Sequence, residues 1–376
     1  MKINLFPKFK GDGVILTITV FLTVISVLAV LSSTPSKILS HIVYIFLSFG
    51  IMYGVYRLKT YTVLTKYVRP LIMLASVLLA LSVLSSIIHH GDAQSGRDIN
   101  LFGIRIQTFY LIGFLVIFYL SKFLANRITN GQELSSRDVI YLFGVVGVFC
   151  GGMALHNMST AIILFATSMV IMFIGDVKIS YLLSFIAAIV LLGGLVFLIN
   201  PDFGRLGTFG NRLEYYVTQN NDNGYGTQMI WAKAAIARSG LKPAGPGHGV
   251  IKKTLPEKET DYVYATICEE LGVGVGLLII FLYLVLMTRA WIIARQSQGS
   301  FGMLLAMGIG FWITFQALVH IGVNCELLPA TGQTLPFISR GGTSMVFSGG
   351  AVGLLLNISK CNIREKEEKG ELKTEN

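Results

Sequence analysis

Ten stretches of roughly 17 to 25 residues are apolar almost throughout, at 14–33, 40–57, 69–88, 107–125, 138–155, 159–176, 180–199, 263–288, 301–323 and 343–359. At 1.5 Å per helical residue each matches a hydrocarbon core of about 30 Å, so the pattern predicts ten membrane-spanning helices. The expected fold is therefore all-α and polytopic, with one transmembrane domain over 1–359 and a mixed-charge tail, 360–376, too polar to order itself. The spacing breaks once. Residues 200–262 form a polar segment far longer than an ordinary connection, expected as a large loop between the seventh and eighth helices; such loops are commonly functional. The first run follows Lys2, Lys8 and Lys10 but is too long for a signal peptide and lacks a small-residue cleavage site.

Composition agrees with the pattern. Of the 376 residues 53% are hydrophobic and 13% charged, against about a quarter charged in soluble domains. The net charge of +10 does not indicate nucleic acid, because the cations follow topology. With the N-terminus inside, cytoplasmic segments hold eighteen Lys and Arg and the short outer loops hold four, Lys37, Arg97, Arg105 and Arg340; long loops are not counted in this bias. Both termini are expected inside a cytoplasmic (inner) membrane, with 200–262 and the loop before the last helix outside. Cys150, Cys268, Cys325 and Cys361 show no paired spacing, and no disulfide framework is expected.

Two segments concentrate chemistry. Leu328 to Ser344, LPATGQTLPFISRGGTS, sets prolines, glycines and Arg340 between two apolar runs. Irregular backbone at membrane depth survives only in protein or along a wet cavity, so this loop, with Ser339, Thr343 and Ser344, is expected to shape a site. Trp231 to Gly272 joins an amphipathic stretch, a Gly/Pro-rich turn and the carboxylates Glu257, Glu259, Asp261, Glu269 and Glu270. If a helix began near Asp261, Asp261 and Glu269 would share roughly one face. Glu269 and Glu270 are costly in a membrane, so they are expected to face substrate or a structural cation. Asp261, at the mouth, suits a general base, with helix capping as the plainer alternative. The outer cations Arg212, Arg238, Lys252, Lys253 and Arg340 could meet an anionic group.

Other signals are weaker. GPGHG at Gly245 to Gly249 lacks the strand and helix of a dinucleotide site and reads as a tight turn. His89, His90, His248 and His320 lack metal-ligand spacing. Gly341, Gly342, Gly349 and Gly350 suit close helix packing.

LPATGQTLPFISRGGTS and LPEKETDYVYATICEELG together resemble signatures of the shape, elongation, division and sporulation family, the RodA- and FtsW-like peptidoglycan glycosyltransferases, over most of the chain. SRGGTS with Arg340, followed by NISK, leans toward the division-type branch. The resemblance implies polymerisation of lipid II into glycan strands outside the membrane, release of undecaprenyl pyrophosphate, and Asp261 as the family's essential aspartate, the general base that takes the acceptor hydroxyl's proton. It implies a class B penicillin-binding protein, a transpeptidase, as partner, together with other division or elongation proteins and membrane lipid, and no nucleic acid. No cofactor is established; a divalent cation, Mg or Mn, would suit the leaving group. The chain departs from the family twice. Gln107-Thr108-Phe109-Tyr110 stands for Q-P-S-E, with Gly113 in place of the following Lys, and His156-Asn157-Met158-Ser159-Thr160 stands for Q-P-D-x-G-T. Asn157, Ser159 and Thr160 remain candidate cleft groups. A lipid II flippase and a non-catalytic scaffold recruiting the transpeptidase are the rival readings.

Overall fold

The computed structural model describes residues 10–88, 98–101, 104–200, 206–218, 226–240, 243–250, 253–255 and 257–369. The first seven apolar runs form α1 (Gly13–Ser33), α2 (Ile38–Arg57), α3 (Val68–Ile88), α4 (Thr108–Thr129), α5 (Ser136–Ala154), α6 (Met158–Ile174) and α7 (Ile179–Ile199). The polar segment contains α8 (Leu206–Thr218) and α9 (Thr227–Ser239). Then come α10 (Val263–Leu271), α11 (Val273–Gln296), α12 (Ser300–Asn324) and α13 (Thr343–Glu368). Nine of the described helices are long and apolar enough to cross a membrane, and α6 is a shorter apolar helix. The chain is an integral membrane protein.

Helix starts follow their sequence signals. Asp12 accepts from the amides of Val14 and Ile15 at the head of α1 and also binds the Arg289 guanidinium, 2.6 Å away on α11. Ser135 and Asp138 form a capping box on α5. α13 lies closely along α2: a Cβ on Gly353 would come within 2.6 Å of the Met52 carbonyl oxygen, and one on Gly349 would overlap Ser48. Glycine there lets the two backbones approach. At the far end Asn357 and Lys360 donate to carbonyls of the last turn of α2 and just beyond it, satisfying groups a helix end leaves bare.

Three expectations are corrected. The eighth run is not one helix: Gly272, at φ 92, separates α10 from α11, a conformation that favours glycine. The helix starts at Val263 rather than near Asp261, which lies in the turn before it. The tail is helical through Glu368, held by Asn362 to the Ile293 carbonyl and by a Lys10–Glu367 pair at 2.9 Å. Before α4, β1 (Asp98–Leu101) pairs antiparallel with β2 (Ile104–Gln107), a hairpin in an otherwise helical chain. On α9 the buried positions are Met229, Ala232, Ala235 and Ser239, a face rotated from Trp231 and Ala234. α7 buries only Leu182 among its side chains.

Candidate functional site

The two segments singled out in the sequence are joined to each other. The Arg340 amide donates to the Glu259 carbonyl at 2.8 Å, and the Ser339 hydroxyl donates to the Thr260 carbonyl at 2.7 Å while accepting from the Leu335 amide at 2.7 Å. From α12, the fully buried Asn324 donates to the Asp261 carbonyl at 3.0 Å and accepts from the Ala265 amide at 3.0 Å. Four backbone atoms around Asp261 are thus fixed by side chains or a loop amide. Irregular chain at this depth needs such partners.

This seam borders a cavity of about 510 Å³ at one end of the bundle. Asp261 and Glu257 line it from the turn before α10; Tyr44, Gln107, Phe109 and Tyr110 from α2 and the start of α4; Asn157 from α6; Gly332, Thr334 and Arg340 to Gly342 from the loop before α13. The Glu257 carboxylate accepts from the Thr260 hydroxyl at 2.7 Å. Arg340 is held beside Glu259 at 3.9 Å and donates to the Ser40 hydroxyl at 3.2 Å; its buried Nε has no partner among the described residues. Glu259 is itself buried and pairs with Lys37 at 2.8 Å. The cavity therefore carries carboxylates and a guanidinium, with the start of α13 at Gly342 and Thr343 beside them.

Other predicted residues serve as supports. Thr343 accepts from the Gln107 amide at 2.9 Å, and Ser344 closes the Gly341 turn. Asn157 caps α6 at the Thr160 amide, and Gln333 donates to both Asn157 and Thr160, at 3.3 and 2.8 Å. Ser159 lies in the same first turn of α6 but does not line the cavity. Arg212 on α8 donates to the Ala330 carbonyl at 3.0 Å, bracing the loop from outside. Tyr215 and Lys233 grip Glu326 at 2.9 and 2.7 Å. The Lys233 ammonium holds that carboxyl below the usual range, and burial pushes the Tyr215 phenol up to about 12.

Glu269 and Glu270 are buried away from the cavity lining. Glu269 accepts from the Val250 amide at 2.8 Å, Glu270 accepts from the Ser32 hydroxyl, and their carbonyls take the amides of Ala244 and Gly245. Through these bonds they clamp the Gly/Pro turn. His248 lies in that turn, its Nδ1 3.0 Å from the Pro246 carbonyl. Lys253 and Arg238 are exposed and do not line the cavity; Lys252, His89 and His90 fall outside the described residues. Gly113 sits where a Cβ would overlap the Trp312 ring, so no longer side chain fits. Among the described residues no group of three or more His, Cys, Asp or Glu is placed to hold a metal ion.

Sequence reasoning missed Tyr44, Gln316, Asn324 and Gln333. Each lies in or beside a strongly apolar segment, and only a polar residue inside an apolar run would have marked the first three.

A family model of cell cycle proteins comprising FtsW, RodA and SpoVE matches residues 12–363. The chain is 28% identical over 90% of its length to a protein of Enterococcus hirae named probable peptidoglycan glycosyltransferase FtsW, covering 87% of that protein. The Bacillus subtilis protein of the same name is 34% identical, over 77% of this chain and 72% of its own. In fold it resembles a chain of a solved peptidoglycan synthase complex, at a TM-score of 0.78 and 20% identity, covering 94% of this chain and 98% of that one. RodA of Thermus thermophilus gives 0.67 at 18% identity, covering 94% and 97%.

Proposed function

The chain belongs to the FtsW, RodA and SpoVE family of cell cycle proteins, and from that premise we propose that it is a peptidoglycan glycosyltransferase that polymerises lipid II. The observation carrying this reading is that Asp261 and Arg340, from separate sequence segments, line one cavity and are mounted on backbone that hydrogen bonds join across the two segments. Asp261 takes the proton of the acceptor sugar hydroxyl as that oxygen attacks the anomeric carbon of the donor. The bond from that carbon to the diphosphate oxygen breaks, and undecaprenyl pyrophosphate leaves with the electron pair. A positioned base contributes about 10² to 10⁴ in rate. Arg340, whose Nε has no partner among the described residues, and the amide end of α13 meet the charge that develops on the leaving group.

A divalent cation would rest here on Asp261 and Glu257 together with the diphosphate's own oxygens, a donor set that magnesium accepts; bound, it would neutralise leaving-group charge. The excess of cations on one set of connections supports cytoplasmic termini and an external cavity. A class B transpeptidase is the expected partner, a pairing supported by the likeness to a chain of a synthase complex.

The test is glycan-strand formation from lipid II by the purified full chain with its transpeptidase, compared with Asp261→Asn. Polymer should form with the native chain and fall by about 10²-fold or more in the folded variant. Equal product from both removes Asp261 as base, and no product from a folded, partnered native chain removes the polymerase reading.

A further inference from the structure

We propose that Tyr110 is a positioning residue for this transfer, its phenol and the Gln316 amide together fixing the Gly332–Thr334 wall of the cavity that Asp261 also lines. The inference rests on the polymerase reading of that cavity.

Tyr110 is in the first turn of α4, its ring buried and bordering the cavity. Its hydroxyl lies 2.9 Å from Thr334 Oγ1 and 3.4 Å from Gln333 Oε1, and accepts from the Thr334 amide at 3.4 Å and from Gln316 Nε2 at 3.3 Å. Gln316, on α12, also donates to the Thr334 carbonyl at 2.8 Å. The amide, carbonyl and hydroxyl of one residue are thus held by two side chains from two helices. Thr334 Oγ1 donates onward to Ser344 at 3.4 Å, which leaves it to accept the phenol hydrogen. Residues 332–335 have no helix or sheet partners of their own, so these bonds replace a ladder.

The spacing makes the platform rigid. Gly113 and Trp312 lie one turn from Tyr110 and Gln316 on the same faces of α4 and α12, and the Trp312 ring fills the place of a Cβ on Gly113. The helices therefore meet at a fixed separation directly beneath the two side chains that grip Thr334. Tyr110, Gln316, Gln333, Thr334 and Ser344 are all uncharged, so the floor fixes geometry without adding an ionisation to the cavity.

Removing the phenol oxygen takes an acceptor from the buried Thr334 amide and one of the acceptors from Gln316 Nε2, which keeps the Thr334 carbonyl and Oγ1. The wall can then drift, and a displacement of about 1 Å in a reacting site costs about 10²-fold. The experiment measures polymerisation of lipid II by the full chain with its transpeptidase, comparing Tyr110→Phe, Gln316→Met and the double variant. Each single variant should lower kcat by about 10- to 10²-fold with KM and the pH profile of kcat unchanged. The double should be no slower than the slower single, because groups acting as a unit are not additive. A purely structural role would instead lower the melting temperature and leave kcat per folded molecule native, and that result overturns the proposal, as does multiplicative loss in the double. If Tyr110→Phe does not fold, Gln316→Met carries the same kinetic criterion. Native product with unchanged kinetics in the variants removes this inference alone; no product from the folded native chain removes it together with the polymerase reading.

Discussion

Asn324 shows how a neutral side chain can govern a charged one without touching its carboxylate. Its amide nitrogen reaches the carbonyls of Asp261 and His320 at 3.0 and 2.9 Å, and its oxygen takes the Ala265 amide at 3.0 Å. Asn324→Ala strands the buried Ala265 amide, which costs about 1–3 kcal/mol, and frees the backbone on which Asp261 is mounted. The expected result is a lowered melting temperature with polymer yield falling further than the folded fraction; native yield per folded molecule would separate Asn324 from Asp261. Asp261 and Arg340 were legible in the sequence because charged residues beside apolar runs are costly and call for a reason. Asn324 and Gln316 were not, since each fits a helical run and gains its meaning only when α12 meets its neighbours; Tyr110 was marked only as a departure from the family pattern, and its grip on Thr334 shows only in the fold.

Among elements, contrasts in hydropathy were readable and breaks inside uniform stretches were not. Nothing in the apolar run around Gly272 announces that α10 ends there; the reason is its left-handed backbone, at φ 92. α9 was readable as an amphipathic stretch, though with a different face buried, whereas α8 sat hidden in the polar segment. The close approach of α13 to α2 was readable at Gly349, and the structure extends it to Gly353. Gly353→Leu drives a side chain into the Met52 carbonyl, and overpacking of this kind costs about 1–3 kcal/mol; a drop in detergent melting temperature checks it, and an unchanged value would show that the helices separate freely. The clamp on Glu326 predicts a pH response. Its folded pKa is depressed, so its stabilising effect is present above the unfolded value of about 4.3 and is lost as pH falls through the lower folded value. Amide exchange in α8 and α9 should therefore quicken below about pH 4 in the native chain, whereas Glu326→Gln should exchange faster already at neutral pH and respond less to acid.

For the whole molecule, the direction in which the cavity faces decides whether the chemistry has a substrate. α13 starts at the cavity and, at 26 residues and about 1.5 Å each, ends roughly a bilayer thickness away, where Glu367 meets Lys10 and Asp12 meets Arg289. The two ends of the bundle are thus distinct, and the surplus of cations gathers on the segments at the end opposite the cavity. Such a surplus marks the cytoplasmic side, and on the orientation proposed above the cavity would open outward, where a lipid-linked sugar awaiting polymerisation would be. Cysteine labelling tests this in cells. With Cys325 and Cys361 replaced by Ser, a membrane-impermeant maleimide should label Lys253→Cys in intact spheroplasts and label Arg364→Cys only after permeabilisation. Both target positions are exposed and open to the reagent. The reverse pattern would put Asp261 on the cytoplasmic side, and an externally presented lipid II could not then be the substrate of this cavity.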